Sequence, residues 1–182
     1  MVIIMRGVSG GGKSTFAGKL MRTNGEESDR EPLFDLFREA AKNNVRGVFS
    51  ADQFFLDGDG EYVFDRNRLG DAHADCMRRF VTFLHVDPIT GYKRLAIVDN
   101  TNTTVEEIAP YAAVARAFGH EVHIVEIEID PGDAFVRNVH KVPLATVDSQ
   151  EARICQTRNS LKKGRYGAFH ILRTGKVYAS DE

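Results

Sequence analysis

The sequence predicts an α/β domain with a central parallel sheet flanked by helices, and two observations carry that reading. Short apolar runs of strand length alternate with segments whose apolar residues recur at helical spacing. Strands that alternate with helices imply right-handed βαβ crossovers and a parallel sheet. Between the first run and the first helix, Gly7-Val8-Ser9-Gly10-Gly11-Gly12-Lys13-Ser14 fits G-x-x-x-x-G-K-[ST] without a mismatch.

The first strand is Met-Val-Ile-Ile-Met, wholly apolar and suited to burial on both faces. After the glycines, Phe16, Ala17, Leu20 and Met21 give a helix its apolar stripe. Strand, glycine loop and helix together predict a phosphate cradle, and with it the P-loop NTPase fold. Gly7, Ser9, Gly10, Gly11, Gly12 and Thr15 would shape a concavity of inward-facing amides, aided by the helix N-terminus. Lys13 would reach the β- and γ-phosphates, and the Ser14 hydroxyl would hold Mg²⁺. A nucleoside triphosphate is the expected ligand. The Asn-Lys-x-Asp signature that selects guanine is absent, which favours ATP.

Polar residues 24–29 read as loop, and Leu33, Phe34, Phe37, Ala40 and Ala41 make one stripe of a helix over 33–42. Gly47 to Ser50 is the second strand, ending at Asp52, and Asp57-Gly58-Asp59-Gly60 is a turn. Leu69, Ala72, Cys76, Phe80 and Phe83 place a helix within 66–85. A loop at 88–93 precedes the third strand, Leu95 to Val98, which Asp99-Asn100-Thr101-Asn102 closes. Thr104 and Glu107 form a capping box for a helix that Gly119 stops. In the fourth strand, 120–129, Val125, Ile127 and Ile129 alternate with Glu126 and Glu128. One wet face and a place near the sheet edge are expected. Residues 133–165 read as a helical lid and a basic helix, and 166–182 as a C-terminal β-hairpin around Thr174-Gly175.

At 182 residues one domain is expected, with average apolar and charged fractions. Cys76 and Cys155 are far apart in sequence and lack metal-ligand spacing, which argues against a disulfide framework or zinc site. No stretch is long enough for a signal peptide or membrane span, so the expectation is a cytoplasmic protein with no membrane partner. The net charge of −2 hides an asymmetry. Arg137, Lys141, Arg153, Arg158, Lys162, Lys163, Arg165, Arg173 and Lys176 face only Asp148 and Glu151 in that span. The expectation is a basic wall turned toward phosphates.

Ligands of open α/β sheets lie beyond the carboxyl ends of the strands, where Asp52 and Asp99 emerge with the glycine loop. Asp52 suits a general base that takes the proton of an attacking hydroxyl. Asp99 suits an acid that holds Mg²⁺ with Ser14, and Arg137, on the lid, suits neutralisation of the transferred group.

These residues carry a family resemblance. The glycine loop, Phe49-Ser50-Ala51-Asp52-Gln53-Phe54-Phe55, Asp99-Asn100-Thr101-Asn102 and Arg137-Asn138-Val139-His140-Lys141-Val142-Pro143 occur in order. Together they resemble P-loop kinases related to phage polynucleotide 5′-kinase, in particular the ubiquitin-ligase-binding-protein branch. Tyr62, Phe64 and His73 fit that branch too. The resemblance implies a central parallel sheet, a lid and ATP-dependent phosphorylation of a 5′-hydroxyl on DNA or RNA. It places Asp52 on the general base, Lys13 and Ser14 on the phosphate and metal groups, and Arg137 with Lys141 on the lid. Gln53 stands for a second acid, and Phe55 for an arginine that contacts phosphate. Relative to that family, the span 25–46 is a helical insertion. A nucleic-acid end is thus the expected substrate. A nucleoside, another small alcohol or a hydroxymethylated base is the alternative, and a non-catalytic ATP-binding module the third reading. The sequence sets no oligomeric state.

Overall fold

The computed structural model describes residues 1–22, 37, 45–85 and 94–173. Five parallel strands form one sheet: β1 (Val2–Arg6), β2 (Val45–Phe49), β3 (Arg94–Asp99), β4 (Val122–Glu128) and β5 (Ala168–Arg173). Their order is β2-β3-β1-β4-β5, so β1 is central, with Met5 opposite Asp99 on one side and Val125 on the other. All five residues of β1 are buried, as an apolar central strand requires.

Helices cover both faces. On one, α1 (Lys13–Arg22) lays Phe16, Ala17 and Leu20 against Ile3, Met5, Ile97, Val125 and Ile127. Phe37 is helical and buried in the same cluster, while the rest of the expected insertion and the loop at 88–93 lie outside the described residues. On the other face, α2 (Leu69–His85) and α3 (Val105–Ala117) pack Ala72, Phe80, Ile108 and Tyr111 on Val2, Ile4, Phe49 and Val98. Glu107 accepts from the Thr104 amide at 3.2 Å, as the capping box predicts. Two further helices, α4 (Pro131–Arg137) and α5 (Leu144–Lys162), connect β4 to β5. None of the described helices is long and apolar enough to cross a membrane.

The segment 168–173 forms a fifth strand, parallel to β4, because α4 and α5 return the chain to the same end of the sheet. The expected second limb, with Thr174 and Gly175, lies outside the described residues.

Strand β4 lies between β1 and the edge strand β5, as expected of a strand near the edge, but its glutamate face, expected to be wet, is largely covered. Glu126 is fully buried. It meets Arg6 at 3.4 Å and accepts from Arg158 Nε at 2.6 Å. Glu128 binds Arg158 at 3.1 Å and Arg173 at 2.7 Å. Burial pushes the Glu126 carboxyl up, against the pull of both arginines. Alternation read as solvent contact is here a buried ionic layer.

Candidate active site

One cleft of about 420 Å³ opens at the carboxyl ends of the strands. Ser9, Gly10, Gly11, Gly12, Lys13, Ser14 and Thr15 line it, opposite Asp52, Asp99 and Arg137. Gly7 stands at the root of the loop, where its amide donates to Thr101 O at 3.0 Å. Lys141 does not line the cleft. It sits exposed just past it, at φ 54°.

The loop is held from both ends. Its first half is tied to α5 by Gln150, which accepts from the Ser9 amide at 2.8 Å and donates to Ser9 Oγ at 3.1 Å. Val8 packs with Ile129, Ala134, Val147 and Ile154, so the lid helix rests directly on the loop. Gly10, at φ +79°, marks the tightest approach: a methyl group there would lie 2.0 Å from Ala134 O. We expect Gly10→Ala to push α4 off the loop and to add about 1–2 kcal/mol of backbone strain. ATP titration calorimetry should show at least a tenfold weaker site, with a lowered melting temperature.

Lys13 is buried and donates to Val8 O at 2.8 Å. Burial lowers the ammonium's pKa, while Asp99 and then Asp52 oppose that shift. Asp99 ends β3 and is buried, and its Oδ1 has no hydrogen-bond partner. Burial raises its pKa, with Ser14 and Lys13 pulling the other way. A buried carboxylate oxygen left open beside a hydroxyl fits a hard divalent cation, which takes few protein ligands and completes its shell with phosphate and water.

Asp52 sits on a 3₁₀ turn, Ala51–Phe55, directly after β2. Ser50 caps the turn by accepting from the Asp52 amide at 3.2 Å, and the Gln53 side chain accepts from the Ser50 amide at 3.4 Å. Asn100 Oδ1 takes the Ala51 amide at 2.8 Å, so the turn is pinned to the residue after Asp99. Arg79 of α2 fastens the same turn, donating to Ser50 O at 2.9 Å and to the Gln53 side chain. Gln53 is therefore structural. Phe55 is buried in the aromatic core and does not line the cleft.

Sequence reasoning missed what faces Asp52. The Tyr62 hydroxyl donates to Asp52 Oδ1 at 3.1 Å, and His140 Nε2 lies 3.9 Å from Asp52 Oδ2. Burial, then the charge and hydrogen bond of Asp52, push the Tyr62 phenol up to about 12. The His140 amide donates to Asn138 Oδ1 at 3.1 Å, which fixes the lid tail over the acid. Gln150 was equally invisible in sequence. Chemically, the arrangement can bind a polyanion on one wall and accept a proton on the other.

The basic wall is mostly spent elsewhere. Arg158 and Arg173 neutralise Glu126 and Glu128, and Arg153 donates to the Thr103 hydroxyl at 3.1 Å. Lys176 lies outside the described residues, and of the rest only Arg137 lines the cleft.

No family model matches the chain. It is 28% identical over 149 residues to human NEDD4-binding protein 2, a match covering 78% of this chain and 7% of that protein. Among solved structures, the AvrRxo1-ORF1:AvrRxo1-ORF2 complex with sulphate ions superposes with a TM-score of 0.67 at 15% identity, covering 96% of this chain and 55% of that one. Kti12 of Chaetomium thermophilum, in complex with ADP-AlF3, gives 0.58 at 14% identity, covering 100% of this chain and 92% of that one. This is the P-loop fold. The chain thus spans a small fraction of the human relative and about half of the first structure.

Proposed function

We propose that the chain is an ATP-dependent phosphotransferase that moves the γ-phosphoryl group to a hydroxyl, most favourably the 5′-hydroxyl of a nucleic-acid end. The observation that carries this is the placement of Asp52 across one cleft from Lys13, with Arg137 at its rim. Asp52 takes the alcohol proton as the oxygen attacks the γ-phosphorus. The bond to the β–γ bridging oxygen breaks, and ADP leaves with that electron pair. Lys13 and Arg137 stabilise charge on the transferred group. Mg²⁺ held by Ser14 and Asp99 would neutralise the phosphate oxygens. ADP-AlF3 bound to Kti12 supports nucleotide use on this fold. The motif resemblance supports the polynucleotide acceptor.

A second reading, a nucleoside or another small neutral alcohol, has its own support. Asp57, Asp59 and Glu61 lie close in sequence to Tyr62, where their charge would repel a phosphodiester. Incubation with γ-labelled ATP and a panel of 5′-hydroxyl oligonucleotides, modified-base duplexes, nucleosides and polyols separates the two. Label on oligonucleotides is the expected result. Label on small molecules alone would move the assignment to the second reading.

A further inference from the structure

Just beyond the Asp52 turn the chain folds into a small hairpin. Leu56 bridges Tyr62, and the Val63 amide donates to Phe55 O at 2.8 Å. Extended backbone puts Tyr62 and Phe64 on one side, two residues apart. Their rings are nearly parallel, 16° between planes and 6.4 Å between centroids. Buried Phe55 supports both, at 6.1 and 5.1 Å, and His140 packs on Tyr62 at 4.4 Å. The ring beneath is buried, yet Phe64 remains 53% exposed and its neighbour Val63 62%.

We propose that Tyr62 and Phe64 form a stacking platform for the planar base of the acceptor nucleotide. This rests on the phosphotransferase reading above and names what selects its alcohol. Position is the main argument. The two rings stand just outside the cleft and the Tyr62 hydroxyl donates to Asp52, so a base stacked on them is anchored beside the group that receives the alcohol proton. Every base has a π-face, so the platform selects for the presence of a base and not for its sequence. An open-chain polyol has nothing to stack. Phe64 is thus a specificity residue, and Tyr62 both stacks and orients Asp52.

The test uses the full chain, γ-labelled ATP and three acceptors. These are a 5′-hydroxyl oligonucleotide, the same oligonucleotide with an abasic terminal nucleotide, and an open-chain polyol. The abasic end should raise the acceptor KM by about tenfold or more, with kcat changed less. Phe64→Ala should raise KM for the intact end by a similar factor and add little to the abasic penalty, and Phe64→Tyr should restore the wild-type value. Equal KM for intact and abasic ends in the wild-type chain would overturn the platform and leave the kinase reading standing. Transfer to the polyol alone would overturn the nucleic-acid acceptor and the platform together. The abasic comparison needs no variant, so a misfolded substitution cannot blunt it.

Discussion

Asp52→Asn should lower phosphoryl transfer by about a hundredfold to ten-thousandfold while leaving ATP affinity within about threefold. Asparagine keeps the size and the hydrogen bond from Tyr62, which reaches Asp52 Oδ1 at 3.1 Å, but it cannot take a proton. The turn should survive, since its restraints come from Ser50, Gln53, Asn100 and Arg79 rather than from the carboxylate. The sign on nucleotide binding also follows. Asp52 faces the same cleft as Lys13, so removing its negative charge slightly favours a bound triphosphate. Single-turnover transfer and calorimetric ATP titration on the same preparation check both halves. Normal transfer by the variant would remove Asp52 from the role of base.

Arg6→Met should cost about 3–5 kcal/mol of stability, a loss larger than any surface substitution would give. Arg6 ends β1 with its side chain fully buried, donating to Thr103 O at 3.0 Å and Ile154 O at 2.9 Å. Methionine fills much of the volume and leaves Glu126 with Arg158 as its one remaining partner among the described residues. Burial already raises the Glu126 carboxyl, and the substitution raises it further. A carboxyl whose folded pKa exceeds its unfolded value, ~4.3, binds more protons in the folded state. Its stabilising contribution is full below the unfolded pKa and is lost as pH rises through the folded one. Urea unfolding from pH 4 to 8 should therefore show the variant losing stability with rising pH more steeply than the wild type. Adding Glu126→Leu should recover a large part of the loss, since an apolar pair tolerates burial.

Much of this was legible in the sequence. The glycine loop, the acid after the second strand and the acid ending the third are local signals, and local chemistry set their positions. Failures came from pairings across the chain. Glu126 and Glu128 alternate like a wet strand, and only folding brings Arg6, Arg158 and Arg173 onto them. Ala168–Arg173 gives no local sign of its parallel pairing with β4, which the preceding helices set. Tyr62 and His140 gave no sign of meeting at Asp52, because nothing short-range links a hairpin to a lid tail.

The contact between Ser9 and Gln150 spans 141 residues, and that between Arg6 and Ile154 spans 148. A nascent chain that stops before Leu144 already contains every letter of the eight-residue motif, yet it lacks the helix that braces it. Loop-closure entropy delays such contacts relative to local ones. The eight-residue motif is accordingly braced only once Leu144–Lys162 has docked on it.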